Sequence, residues 1–228
     1  YITACDSIVW NGTTYDTSGT YSYTGSSVNN NYSLDFGPNC GNLNQTGNDW
    51  VDFGDVLDMT GSFSIGGWIY NNGCNLTTIV SKRQGSFPYN GYHLSFEQSG
   101  DIEFVLQHNS MSGGEIVGAS PISNQWVHVV GVFDAGNSIS IYIDGQLANS
   151  QSTSLTSLID NNAPFLIGSL QNPGSWSWDG LLDDIFIYDR DLSGSEILEI
   201  YNCDIPQNNL QGYWNFEEGP GSTVVLDQ

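Results

Sequence analysis

The stretch WVHVVGVFDAGNSISIYIDGQL, residues 126–147, decides how the chain is read. Its first half, WVHVVGVFD, is apolar on both faces of any strand made from it, as a central strand covered on both sides would be. Its second half alternates, with Ile139, Ile141 and Ile143 on one face and polar residues on the other. Period-two alternation bounded by turn residues marks a half-buried strand. The same pattern recurs on either side. In SFSIGGWIY, Phe63, Ile65, Gly67 and Ile69 oppose Ser62 and Ser64. YHLSFEQ sets Tyr92, Leu94 and Phe96 against His93, Ser95 and Glu97, and DIEFVLQH groups Ile102, Phe104 and Leu106. Strands at this spacing, separated by turn signals, predict an all-β, antiparallel two-sheet jelly-roll sandwich. One short helix is predicted near the C-terminus. In DLSGSEILEIYNC, Ser193 and Glu196 form a capping box, with Leu192 and Ile197 placed as a hydrophobic staple.

The 228 residues suffice for one large β-domain or two small ones. A chain of this length buries roughly 70% of its unfolded surface, so its core does not depend on disulfides. Three Lys and Arg stand against 25 Asp and Glu, a formal charge of −22. That charge repels phosphate backbones and anionic lipid, which excludes nucleic acid and membrane surfaces as partners. No apolar run approaches the ~20 residues of a membrane span. YITACDSIVW lacks the basic and apolar regions of a secretory signal, and a chain opening on Tyr1 is expected to be a processed or excised piece. Scarce lysine, abundant Asn, Ser, Thr, Gly and Tyr, and four cysteines point to an extracellular or cell-surface protein. Residues 1–32 differ in texture: WNGTTY and TSGTY read as short strands around turns. They are predicted to form an N-terminal β extension, with the jelly roll over 33–228 and a terminal strand segment at 206–228.

With SLDF…DWVDFGDVLDMTGSFSIGGWIY (33–70), the stretches at 126–147 and DGLLDDIFIYDRDLSGSEI (179–197) resemble the laminin-G-like, concanavalin-A-like jelly roll of secreted bacterial surface proteins. The likeness covers about residues 33–201 and speaks to fold. Function stays open among lectins, adhesion modules and accessory domains. Residues 1–32 are similar to the short Cys-Asp-Ser…Trp-Asn-Gly-x-x-Tyr repeats of large bacterial surface proteins. In the resembling domains a segment like GYWNFEEGPG precedes the SLDF strand, whereas here it falls at 212–221. Either the domain is permuted and this segment folds back into its own sheet, or chain ends are exchanged between molecules. A sheet lacking an edge strand offers unpaired backbone groups to a neighbour. Repeated head to tail, such contacts generate a fibre.

Cys5, Cys40, Cys74 and Cys203 allow three pairings, and their long spacings without C-x-x-C argue against zinc. If SLDF runs up, WVDFG down and SFSIGGWIY up, the Cys40 loop and the Cys74 end share a pole. Cys40–Cys74 is therefore predicted, leaving Cys5 with Cys203 in the same chain or the next. Each such bond contributes about 2–4 kcal/mol.

The chain carries no G-x-S-x-G, no H-E-x-x-H and no phosphate-cradling glycine loop before a helix. Related jelly-roll glycosidases alternate closely spaced acids along one strand. Here DIEF offers only Asp101 and Glu103 beside a turn, read as two exposed carboxylates, and His128 is read as structural. The expectation is a non-enzyme. Similar jelly rolls often hold one Ca²⁺ by an acidic pair near the final long strand, the position of Asp183 and Asp184 here. Partners are sought among Asp35, Asp49, Asp52, Asp55 and Asp58. In SWSWDG, Trp176 and Trp178 share a face if extended, and with Tyr89 and Tyr92 of FPYNGYH they form the candidate sugar platform. Trp68 and Trp126 are assigned to the core, and sequons occur at Asn11, Asn31, Asn44 and Asn75. The displaced terminal segment, the extension and Cys5 together favour a structural or adhesion protein, its subunits joined end to end by strand exchange into a fibre or tandem array. The alternative is a calcium-dependent, lectin-like carbohydrate-binding module of a larger secreted adhesin or glycoside-active enzyme.

Overall fold

The structure, a computed structural model, describes residues 8–10, 13–15, 32–37, 49–110, 114–121, 123–171, 175–218 and 225–227. The chain divides into two units, Tyr1–Asn31 and Tyr32–Gln228. In the first, β1 (Ile8–Trp10) and β2 (Thr13–Tyr15) pair antiparallel, with Ile8 opposite Tyr15 and Trp10 opposite Thr13. The TSGTY segment expected as a further strand lies outside the described residues.

The second unit is the two-sheet antiparallel jelly roll. One sheet runs β12 (Gln146–Ser152), β11 (Ser138–Ile143), β10 (Trp126–Asp134), β5 (Phe63–Asn71) and β14 (Gly180–Tyr188). Beyond β14 lie two short strands in line. β3 (Leu34–Phe36) pairs with Gly180–Leu182, and β15 (Leu210–Trp214) pairs with Ile185–Tyr188. The other sheet runs β4 (Val51–Asp52), β13 (Phe165–Ile167), β6 (Thr77–Arg83), β7 (Tyr89–Phe96), β8 (Ile102–Ser110) and β9 (Glu115–Ala119).

The alternating residues face one another across the sandwich as their periodicity requires. Phe63, Ile65 and Ile69 meet Tyr92, Leu94, Phe96, Ile102, Phe104 and Leu106 in one buried core. Strand β10 is apolar on both faces because it serves two cores. Val127, Val129 and Phe133 point between the sheets, while Val130 and Val132 pack under helix α1 (Gly194–Tyr201) with Leu192, Ile197 and Ile200. The capping box forms: Ser193 Oγ accepts from the Glu196 N–H at 3.3 Å, and the Ser193 N–H donates to Glu196 Oε2 at 2.9 Å. Ser193→Ala should lower stability by about 1 kcal/mol, read as a shift in urea midpoint at unchanged slope. Trp68 is half-buried, stacked on Tyr201 at 5.4 Å, but Trp126 is 39% exposed at the start of its strand and is not a core residue.

The terminal segment closes within its own chain. Trp214 and Phe216 are buried, and Trp214 lies 4.9 Å from the Phe53 ring and 5.6 Å from Phe165. The Tyr32 N–H donates to Glu217 Oε1 at 3.0 Å, joining the start of the unit to its end. Beside β15, the Tyr213 N–H donates to Asp227 Oδ1 at 2.8 Å, so the chain's own tail occupies a backbone donor there. The Gly219-Pro220-Gly221 turn lies outside the described residues.

Within the chain Cys203 carries a free, exposed thiol just past the C-cap of α1, so its expected bond is not made inside one chain. The helix end there is closed by backbone bonds of Asn202, Cys203 and Asp204, which hold the segment without a covalent tie. Phe36 and Asn71 both pair with Gly180, so the segments leading to Cys40 and Cys74 leave the sheet at one pole. Cys74 is buried and disulfide-bonded, while Cys5 and Cys40 lie outside the described residues.

Candidate functional site

The outward face of the six-stranded sheet carries the polar half of the alternation. Because Tyr92, Leu94 and Phe96 point into the core, His93 and Ser95 of β7 point away from it, as do Glu103, Val105 and Gln107 of β8. Hydrogen-bonded rows set the order across the face. Arg83, Gly91 and Gln107 form one row; Ser81, His93 and Val105 the next; Ser95 and Glu103 lie further along. Gly91 holds φ +123°, where a Cβ would collide with the Lys82 carbonyl oxygen, so the row stays free of a side chain at its centre.

Two segments wall this face into a groove of about 440 Å³, lined by Arg83, Tyr89, His93, Glu97, Glu103 and Trp176 among others. One wall is made at Gly85, in the connection between β6 and β7. The other is made by Leu170, Gln171 and Trp176, held through the backbone: Thr78 N–H donates to the Trp176 carbonyl at 2.8 Å, and Leu170 N–H to the Ser175 carbonyl at 2.8 Å. That anchoring leaves the half-buried Trp176 indole free to line the groove.

Within the groove, Arg83 Nε donates to Gln107 Oε1, and its guanidinium sits over the Tyr89 ring at 4.5 Å from the centroid. The Ser95 hydroxyl donates to Glu97 Oε1 at 3.1 Å. Burial pushes the carboxyls of Glu97 and Glu103 upward; in Glu97 the Ser95 bond and the Arg83 charge oppose the shift, in Glu103 the neighbouring Glu97 and Asp101 add to it. His93, 5% exposed, forms the floor. Its Nδ1 has no hydrogen-bond partner. Burial, reinforced by Arg83, lowers its pKa to about 3, so the ring is neutral at physiological pH. A buried polar atom without a partner costs about 1–3 kcal/mol.

The structure separates the four residues of the expected sugar platform. Trp176 and Tyr89 line the groove, but Trp178 and Tyr92 belong to the core. Trp178 is fully buried against Phe96, ring centroids 5.8 Å apart. Tyr92 packs on Phe63 and donates its hydroxyl to the Leu57 carbonyl at 2.8 Å. The reason is backbone geometry. Trp176 adopts φ +51°, which breaks the extended periodicity that would have kept it on one face with Trp178. Tyr89 and Tyr92 are three apart on one strand, so they fall on opposite faces. Arg83, His93, Glu97, Glu103 and Gln107 were not singled out as ligand residues; their signal was the polar half of each alternating strand.

The acidic set does not assemble into one site. Asp183 and Asp184 sit at a register shift of β14, with Asp184 at φ +48°; the Asp184 N–H donates to Asp183 Oδ1 and the Tyr213 hydroxyl to Asp184 Oδ1. Asp35 is exposed on β3, and Asp52, on β4 of the other sheet, accepts from the Gly54 N–H at 2.8 Å. Asp55 and Asp58 are drawn instead to the buried ammonium of Lys82, each at 2.9 Å, which also donates to the Ala163 carbonyl at 2.7 Å. Among the described residues no three His, Cys, Asp or Glu side chains converge to hold a metal ion. Lys82 needs the carboxylates because a buried unpaired ammonium is costly. Asp55→Asn should cost about 1 kcal/mol by thermal or urea unfolding, limited by the Asp58 partner that remains.

Two packed antiparallel sheets with a walled polar groove on an outer face define a jelly-roll module. Residues 45–198 match the laminin-G type family described as the concanavalin A-like lectin/glucanases superfamily, and the chain belongs to that superfamily. It is 27% identical over 168 residues to Paraclostridial mosquitocidal protein 1 of Paraclostridium bifermentans, a match covering 73% of this chain and 12% of that protein. The chain thus spans only a small part of that relative. Among solved structures it is similar to a putative carbohydrate binding protein from Bacteroides ovatus, with TM-score 0.60 and 15% identity over 78% of this chain and 52% of that one. It is also similar to the binding domain of the mosquitocidal protein, with TM-score 0.54 and 20% identity over 71% and 42%. At these identities the structural likeness shows the fold. No helix among the described residues is long and apolar enough to cross a membrane.

Proposed function

We propose that this protein is an extracellular carbohydrate-binding module that holds a glycan, without cleaving it, in the groove over β6, β7 and β8. One observation carries the reading: the groove combines aromatic surfaces with ready hydrogen-bonding groups. Trp176 and Tyr89 supply faces for the apolar side of a sugar ring. Arg83, Gln107 and Glu103 supply donors and acceptors beside the neutral His93. Glu97 is assigned to hydroxyl recognition, since it already accepts from Ser95. Superfamily membership and the likeness to a putative carbohydrate binding protein support this reading.

End-to-end assembly by strand exchange has less support, because β15 fills the edge of β14 in its own chain and the tail bonds beside it. A glycan array screened with the whole chain, together with size-exclusion chromatography, tests both points. Array hits and a single monomer peak are expected. An array without hits would contradict the binding reading, and a concentration-dependent polymer would restore the assembly reading.

A further inference from the structure

The chain has three Lys and Arg residues, and the structure uses them differently. Lys82 is held by Asp55 and Asp58, and Arg190 by Glu196 at 2.8 Å. Among the described residues, Arg83 has no carboxylate within ion-pair distance. Its fixed partners are a neutral amide oxygen, Gln107 Oε1, and the Tyr89 ring. Both orient the guanidinium and neither neutralises it. Burial disfavours its charged form, offset only in part by Tyr89 and the more distant Glu97. In a protein of net charge −22, a half-buried cation left without a counter-ion calls for an explanation.

Its position supplies one. A second hollow of about 410 Å³ shares Arg83, Gly85 and Gln171 with the groove, so the guanidinium stands where the two meet. The groove is also polarised along its length. Arg83 and Gln107 share the row of Gly91, whereas Glu103 faces Ser95, four residues along β7 and about 13 Å away at strand rise. Glu97, bonded to Ser95, lies at that acidic end. Between the two ends sits the neutral, unpartnered His93.

We propose, resting on the glycan-binding reading above, that the groove selects an oligosaccharide bearing a single sugar carboxylate, seated on the Arg83 guanidinium with its hydroxyl-rich remainder towards Glu97 and Glu103. A guanidinium fork matches a planar carboxylate with two parallel bonds, and such charge-assisted pairs are about twice as strong as neutral ones. The ligand carries one charge because a polyanionic chain running along the groove would meet two carboxylates and the field of a strongly acidic protein. Uronic and sialic acids share this chemistry.

The test is an array of matched pairs, each neutral oligosaccharide beside its glucuronic-acid-capped and sialic-acid-capped counterparts, with heparin as the polyanion. At least one capped member should bind roughly tenfold tighter than its neutral parent, and heparin should not bind. Arg83→Gln should cost the capped member about tenfold more affinity than it costs the neutral parent, so that the preference disappears; Arg83→Lys should keep part of the preference. Far-UV CD and Tm establish that both variants are folded. A preference for only one of the two acids supports the proposal and names the source. Capped members that bind no tighter than their parents, a preference that survives Arg83→Gln, or tight heparin binding would each overturn it. If neutral glycans bind and Trp176→Ala removes that binding while no acid preference exists, the groove reading stands and the carboxylate falls. If no glycan of any kind binds, both fall.

Discussion

Replacing Trp176 with alanine is expected to weaken glycan binding by thirtyfold or more, a loss of about 2–4 kcal/mol, while Tm changes little. The two effects separate because of how the residue is held. Its position on the loop depends on the backbone bond from Thr78, which alanine keeps, and its side chain is only half-buried. What alanine removes is the flat apolar surface beside Arg83, Tyr89 and His93 in the groove. Trp178→Ala should behave in the opposite way. That side chain is fully buried against Phe96, so its loss opens a cavity and costs about 3–5 kcal/mol of stability. Isothermal calorimetry on an array hit, paired with thermal melts, distinguishes the two. A Trp176→Ala variant that binds as the parent does would move the ligand elsewhere.

The second large effect is on acid stability. His128 is 1% exposed, and neither ring nitrogen has a hydrogen-bond partner. Its ring sits among Trp68 at 5.2 Å, Tyr201 at 5.9 Å and Phe186 at 6.0 Å, and burial there lowers its pKa to about 4. His93 is lowered to about 3. Between pH 6.5 and these values the unfolded chain binds protons that the folded chain refuses. Stability is therefore full above about pH 6.5 and falls with pH through this window, levelling near pH 4 for His128 and pH 3 for His93. His128 alone should account for about 3 kcal/mol of the loss. Glu196, held near a pKa of about 2 chiefly by its bond with Arg190, adds a loss in the same direction below pH 4.5. Glu97 and Glu103 act the other way, since their protonation relieves a burial cost. His128→Phe should be at least as stable as the parent at pH 7 and should flatten the curve between pH 6.5 and 4. Urea midpoints measured across that range test it; an unchanged acid slope would contradict the assignment.

Much of the fold was legible because alternation is a local property. Ile139, Ile141 and Ile143, or Tyr92, Leu94 and Phe96, reveal a buried face from a handful of adjacent residues, and Ser193 with Glu196 reveals the helix start the same way. The site was only half legible because it is assembled from segments far apart in the chain, and two of its clues depend on backbone exceptions. Trp176 and Trp178 would share a face in an extended chain; the positive φ of Trp176 sends one to the groove and the other to the core. Asp183 and Asp184 read as a metal pair from their adjacency; what adjacency does not reveal is the register shift at that point and the bond from the Tyr213 hydroxyl to Asp184. Asp55 and Asp58 were equally open to two readings until the fold placed the Lys82 ammonium between them. The terminal GYWNF segment raised a question that only the pairing of β15 with β14 answers: it completes its own chain's sheet.

The central claim is that glycan lies on the outer face of the six-stranded sheet, and a ¹H–¹⁵N NMR titration with an array hit tests it most directly. The Trp176 indole, the Gln107 side-chain amide and the backbone amides of Arg83, His93 and Glu103 should shift with one saturating dissociation constant, while amides of β12 and α1 stay in place. Shifts confined to β12, α1 or the β14–β15 edge, with the groove resonances unmoved, would contradict it.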